Sequence, residues 1–395
     1  MKRKDYITGT LILLATSMLG VYLTSMAILN RPLFSIPISD LFTHSQQYQV
    51  STCGTVQKID NLDKAVSPYL RKLAEYQQVC GGSPTKQLMV FTGMPNSEAN
   101  AASLAQSMAS TLKEFSADKI TPLVVFEPTT EWGNIDFVEY HNGFYDAWIK
   151  DYFADLKKSG ITDAQMGTWV PFPEANLPIW SQQNATASDV AADITKTVQA
   201  QKSYFPGSKA SIMLNSQTYQ NTDYNEVNGE YDSLLPYVKT IPKGLIDSFG
   251  LQGFPWEPTA TTKGTGVIDP SVYLDYKLAE EAATQLGIKA IWFNTGTFGR
   301  KYTLDPQNTV TMSPEQRKDI LSGVVIAAQA VKKDGYSVAV NLFAENKAQD
   351  AEATDWSYWP EAKPSTTPDT VVFADFATSL SKAGIPLWLF DQAHH

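Results

Sequence analysis

From about residue 48 onward the chain alternates short apolar runs with longer amphipathic ones. The short runs are "QYQVSTC" (47–53), "LMVFTGMP" (88–95), "PLVVFEP" (122–128), "MGTWVPFPE" (166–174), "KASIMLNSQ" (209–217), "IDSFGLQGF" (246–254), "KAIWFNTGT" (289–297) and "YSVAVNLFA" (336–344). They are apolar, β-branched or aromatic, which predicts strands buried on both faces. Between them, "NLDKAVSPYLRKLAEYQQV" (61–79), "YDAWIKDYFADLKKSG" (145–160), "SVYLDYKLAEEAATQLG" (271–287) and "SPEQRKDILSGVVIAAQAVKKDG" (313–335) read as helices. Asn61 and Ser313 are suited to N-caps, and Gly160, Gly287 and Gly335 to C-terminal stops. Eight strands alternating with helices predict an α/β fold, a (β/α)8 TIM barrel occupying residues 48–395 as one domain. A doubly wound open sheet is the rival, but no Gly-rich phosphate loop follows any of the runs.

The N-terminus has a different pattern. "MKRKDY" is basic, and Ile7 to Leu29 carries no charge at all. That length is about the ~20 residues a bilayer-spanning helix needs. Residues 1–30 are therefore expected to be a basic cytoplasmic tip followed by a transmembrane signal-anchor. Lys2, Arg3 and Lys4 would stay inside the cell, leaving the C-terminal domain outside. Secretion after signal cleavage is the alternative, although a cleaved apolar core is normally shorter and Ser25-Met26-Ala27 is a weak cleavage site. Residues 31–47 read as a stalk.

Composition narrows the chemistry. With 43% hydrophobic and 11% aromatic residues over 395 positions, the chain is globular. A formal charge of −10, with no basic run after the first four residues, argues against a nucleic-acid partner. Cys53 and Cys80 are the only cysteines, and outside the cell they can form one disulfide. No CxxC is present. Of four histidines, only His141 lies inside the expected domain, away from the stalk and the chain end. No metal site or cofactor is expected, and nucleophilic triads are poorly supported. Catalysis by this chain falls by elimination to carboxylates.

One carboxylate has an unusual setting. "GTWVPFPEANLPIW" (167–180) holds a single acid, Glu174, among prolines, aromatic and aliphatic residues. A carboxyl in such surroundings tends to be pushed up in pKa, as a general acid requires. A loop glutamate that points into water is the bland alternative. In a TIM barrel, functional groups sit at the C-terminal strand ends. Glu174 ends the fourth expected strand and Glu127 the third, while Glu257 follows the sixth and Glu345 the eighth. Each of these acids is a catalytic candidate, and each is equally a solvated loop carboxylate.

Three of these segments, "PLVVFEP", "GFYDAWIKDYFADLKKSG" and "WVPFPEANLPIW", resemble the central block of the family-26 glycoside hydrolases, mainly β-mannanases. Downstream, "IDSFGLQGFPW" and "KAIWFNTGTFG" look like that family's sixth and seventh strands, so the resemblance runs from about residue 88 to 300. It implies that Glu174 is the general acid/base and Asn176 the asparagine of the same motif. It also implies a polysaccharide or oligosaccharide ligand, with Trp180, Trp132, Trp256, Phe254 and Trp292 as candidate sugar-binding aromatics. Core or rim packing is the alternative for those aromatics. The family's nucleophile is a glutamate near the end of the seventh strand, where this chain has Asn294. A carboxamide cannot form the glycosyl-enzyme ester. Val170 and Pro173 likewise stand where the family has Arg and His.

Three readings follow. In the first, the chain is a glycosidase in which Glu345, Glu127 or Glu257 serves as the second carboxylate. In the second it is a glycan-binding pseudoglycosidase, with Asn294 as a neutral hydrogen-bonding group. In the third the likeness is one of fold only.

Overall fold

The computed structural model of the chain describes residues 87–93, 101–117, 120–127, 137–176, 185–216, 234–253, 274–297, 312–343 and 368–390. The strands are β1 (Gln87–Gly93), β2 (Thr121–Glu127), β3 (Thr168–Pro171), β4 (Lys209–Asn215), β5 (Ser248–Gln252), β6 (Ala290–Thr295), β7 (Ser337–Phe343) and β8 (Leu387–Phe390). All neighbours pair in parallel, and the ring closes in chain order. Closure is made by β8, which pairs Val340 with Leu387 on one side and Leu88 with Leu389 on the other. The helices are α1 (Ala101–Ala117), α2 (Phe137–His141), α3 (Asp146–Lys158), α4 (Asp163–Met166), α5 (Ala187–Tyr204), α6 (Leu234–Lys239), α7 (Tyr276–Leu286), α8 (Pro314–Lys333) and α9 (Pro368–Lys382).

The barrel agrees with the expected fold, with one change of count. "LWLF" (387–390) supplies a strand that the apolar pattern did not single out, and it closes the ring. The runs expected as strands two to eight are therefore β1 to β7. Glu174 follows the third strand of this barrel rather than the fourth, and Asn294 lies on the sixth rather than the seventh. The run at 47–53, the helix at 61–79, the Cys53–Cys80 pair and Ile7 to Leu29 lie outside the described residues. Among the described residues no helix is long and apolar enough to cross a membrane.

Local chemistry explains where the elements begin and end. Ser313 caps α8 in a capping box with Gln316, and Pro314 opens the helix. Helix α7 starts five residues later than its apolar pattern, because the Asp275 side chain accepts from the Leu278 N–H, and it stops at left-handed Gly287. Strand β3 is short for a similar reason. Thr162 and Gln165 form a capping box for α4, which consumes Met166, and Gly167 reverses the chain at φ 64° into Thr168.

Two apolar layers follow. Outside the ring, Phe126 and Trp169 on β2 and β3 meet Trp148, Tyr152 and Phe153 of α3, with Trp148 stacked on Tyr152 at 5.1 Å. Inside it, Leu123, Val125, Val170, Met213, Trp292 and Ala339 form a separate cluster with Trp388 packed against it. The Trp292 indole donates to Ser211 Oγ at 2.9 Å, so its one polar atom is satisfied within the plug. Trp292 fits because Gly250 faces it from β5. A Cβ at residue 250 would overlap the indole ring. Gly250→Ala is therefore expected to destabilise the barrel by about 1–3 kcal/mol through overpacking, as read from urea or thermal unfolding.

Candidate active site

The mouth of the barrel is built on this plug, at the C-terminal strand ends. After Pro171, the chain leaves β3 in a tight turn in which Phe172 and Glu174 both have positive φ, 54° and 55°. Two non-glycine residues in the left-handed region within three positions cost on the order of 1–3 kcal/mol each, so the turn is held by its surroundings. The anchors are visible. Phe172 is buried, its N–H bonds Phe126 O at 3.1 Å, and the edge of one ring meets the face of the other between Phe172 and Tyr140, with centroids 4.5 Å apart. Ala175 is fully buried. Asn176 then mimics a strand residue: its Nδ2 donates to Asn215 O at 3.0 Å and its Oδ1 accepts from Asn215 N at 2.7 Å. Glu174 is half-buried between these anchors.

A second feature lies around the ring. Strand register aligns Asn215 of β4 with Gln252 of β5, Gln252 with Asn294 of β6, and Asn294 with Asn341 of β7. All four side chains are buried. Asn341 Nδ2 donates to Asn294 Oδ1 at 2.7 Å, and Asn294 Nδ2 donates to Gln252 Oε1 at 2.5 Å. Asn294 Nδ2 also lies 3.7 Å from Met213 Sδ. The place where the resemblance expects a nucleophile is thus the middle of a belt of carboxamides, with an amide neighbour on either side.

A polar buttress stands behind the Glu174 turn. Tyr140 of α2, whose ring abuts Phe172, shares a short hydrogen bond with Thr197 of α5. Burial pushes the Tyr140 hydroxyl far above the ordinary tyrosine range, so it stays protonated. Lys196 reaches the Tyr140 carbonyl at 3.1 Å and pairs with Asp146 at 2.8 Å and Asp193 at 3.3 Å. Asp193, almost wholly buried, also bonds His141 Nδ1 at 3.0 Å. Burial raises the Asp193 carboxyl above the usual aspartate range, outweighing the opposing pull of His141 and Lys196.

The expected site residues separate as follows. Glu174, Asn176 and Asn294 lie at the barrel mouth, and Glu127 is the last residue of β2, on the strand next to β3. Asn176 acts through the main chain of β4, since both of its amide atoms are used there. Trp292 departs from the expected sugar-binding role. It is 1% exposed inside the plug, and Gly250, Ser211 and Trp388 cover it. Glu257, Glu345, Trp132, Trp180, Phe254 and Trp256 lie outside the described residues. Asn215, Gln252 and Asn341 were not singled out by sequence. Their signal is a repeated strand ending, an apolar pair followed by a carboxamide, in "MLN", "WFN" and "AVN", with "GLQ" its glycine variant. Among the described residues, no cluster of His, Cys, Asp and Glu could hold a metal ion.

The barrel is shared with known enzymes. The chain is similar to the family 1 β-glucosidase from Thermotoga maritima, with a TM-score of 0.50 at 10% identity, covering 82% of this chain and 87% of that one. It is also similar to fungal β-1,4-galactanases, with a TM-score of 0.46 at 12% identity over 77% and 89% of the two chains. The virulence factor SghA from Agrobacterium tumefaciens matches with a TM-score of 0.49 at 12% identity over 81% and 86%. At such identities the likeness is one of fold. No protein-family model matches the chain, and no curated protein matches it.

Two outcomes test the architecture of the mouth. Asn176→Ala leaves the buried Asn215 N–H and C=O without their side-chain partner, and is expected to cost about 2–4 kcal/mol in chemical denaturation. Asp193 gives a pH signature. Because its folded pKa is raised, the native state holds its proton more tightly than the unfolded chain. Stability from this group is therefore greatest at low pH and is lost as pH rises from the ordinary aspartate value of about 3.9 through the raised one. Asp193→Asn should flatten that part of the stability–pH curve.

Proposed function

We propose that this chain is a glycoside hydrolase acting on a β-linked, mannan-like polysaccharide, with Glu174 as general acid/base. The observation that carries the reading is the Glu174 turn. A half-buried carboxyl stands at the C-terminal mouth of a parallel barrel, on a strained turn fixed by Tyr140, Phe126 and the β4 main chain. Strain held at one turn by so many anchors is what positioning a reactive group demands. The likeness of the barrel to a β-glucosidase supports the same class of substrate. As acid, Glu174 protonates the departing glycosidic oxygen. In a retaining enzyme its carboxylate then takes a proton from the water that displaces the second carboxylate from the sugar. In an inverting one the second carboxylate takes that proton as water attacks.

The second carboxylate comes from Glu127, Glu257 or Glu345. Glu127 is on the adjacent strand, in keeping with the close pair of a retaining enzyme. Glu345 follows the β7 segment in the sequence and is the candidate base of an inverting enzyme, whose pair leaves room for water. Ile7 to Leu29 would anchor the domain on the outer face of a membrane, with secretion after cleavage as the alternative. One observation favours a second reading, a glycan-binding pseudoglycosidase. Asn294 is tied to amides on both sides, which suits holding a sugar more than attacking one.

The test is reducing-end release by the full chain from mannan, glucomannan, xylan and mixed-linkage glucan, beside Glu174→Gln. A glycosidase loses about 10²–10⁴ in kcat in that variant. Activity should fall as pH rises through the titration of the acid and depend on Glu174, because the protonated form is the proton donor. Gln at 127, 257 and 345 in turn identifies the second carboxylate by the one variant that matches the Glu174→Gln loss. Tight binding of one glycan with no release by the unaltered chain selects the pseudoglycosidase.

A further inference from the structure

The carboxamide belt has a direction. Asn341 donates to Asn294, and Asn294 donates to Gln252, so the amide dipoles run head to tail from β7 toward β5. Such chains polarise one another, and the donor character accumulates at the far end. The next residue in register is Asn215 on β4. Its side chain lies on the same side of the strand as Ser211 and Met213, which face the barrel interior through Trp292 and Asn294. Asn215 is 3% exposed, and its Nδ2 is buried with no hydrogen-bond partner. A buried, unpaired amide donor costs roughly 1–3 kcal/mol, a burden that serves a purpose if a ligand supplies the missing acceptor.

We infer that Asn215 is the ligand-contacting donor of a sugar site floored by the carboxamide belt, and that the ligand is an uncharged sugar presenting an acceptor oxygen. This deepens the function proposed above and rests on it. Carboxamides both give and accept hydrogen bonds, as sugar hydroxyls do, so a belt of them suits a polyhydroxylated ring. The four belt residues carry no cation to pair with an acidic sugar. Glu174 at the same mouth, and the chain's net charge of −10, oppose one further. The acceptor oxygen is a hydroxyl or the carbonyl of an acetamido group, two sources with the same chemistry toward Nδ2. Asn176 links this site to the acid, because it bonds the main chain of Asn215 itself. A ligand that settles on Asn215 is thereby registered against the Glu174 turn.

The experiment is calorimetric titration of the full chain, in mild detergent, with three hexasaccharides: β-1,4-linked mannose, β-1,4-linked N-acetylglucosamine and galacturonate. Asn215→Leu and Asn215→Asp are titrated beside it, and thermal unfolding is followed for each. The inference expects binding of a neutral hexamer and none of the galacturonate. Which neutral hexamer binds separates hydroxyl from carbonyl. Both substitutions should weaken that binding at least about tenfold, since each removes the donor. Asn215→Leu should also unfold no earlier than the unaltered chain, because it deletes an unpaired polar group from a buried site. If Asn215→Leu fails to fold, Asn215→Asp still reads the donor, as it keeps the side-chain shape. Unchanged affinity in the folded variants, or preference for galacturonate, overturns the role of Asn215 and leaves Glu174 untouched. Failure of the unaltered chain to bind any of the three, with no reducing ends released from the polymers, overturns the glycan reading and this inference together.

Discussion

A parallel barrel of eight strands stands or falls by how its interior is filled, and here one indole supplies much of the volume. Trp292 reaches from β6 across to β5 and β4, where Gly250 leaves space for its ring and Ser211 accepts its N–H. With Leu123, Met213, Val125, Val170 and Ala339 it forms a buried apolar layer, against which Trp388 packs. The mouth rests on that layer. Were the interior loosely packed, neither the register that aligns the four carboxamides nor the separation of β3 from β4 spanned by Asn176 would be fixed.

Above the plug, the two sides of the mouth differ in how they are held. The β2–β3 side is strained: Phe172 and Glu174 keep left-handed backbone that the Tyr140 ring and the buried Ala175 enforce. The β4–β7 side is polar, a run of amides in which Asn341, Asn294 and Gln252 bond one another in series and Asn215 keeps an unpaired donor. Asn176 joins the two by borrowing the hydrogen bonds of the β4 main chain. Behind the strained side, α2 and α5 bring His141, Lys196 and Asp193 together. Lys196 and Asp193 of α5 are thus engaged behind Tyr140.

Much of this was legible in the sequence, for physical reasons. Strands buried on both faces are continuous apolar runs, so "PLVVFEP", "KASIMLN", "KAIWFNT" and "YSVAVNLF" declare themselves. Ser313 and Gly287 mark helix ends through chemistry that is local. What failed was counting. "LWLF" is four residues long and sits near the chain end, and a strand that short has no periodicity to read; only its pairing with β1 reveals it. The Glu174 setting was visible because an acid among aromatics is anomalous in composition alone. The belt was not, because Asn and Gln at strand ends are ordinary residues until register aligns them. Trp292 was misjudged for the complementary reason: a tryptophan looks the same in sequence whether it faces a sugar or fills a barrel.

The carboxamide belt has one more consequence, which concerns acidity. Asn215, Gln252, Asn294 and Asn341 have no proton to gain or lose between mild acid and mild alkali. Glycosidase mouths lined by paired carboxylates change their grip on a sugar whenever either acid titrates. The hydrogen-bonding character of the belt therefore stays the same across that whole range, while any carboxylate beside it titrates within it. The amides stand on β4 to β7 and Glu174 follows β3, so a substitution in the belt leaves the Glu174 turn in place.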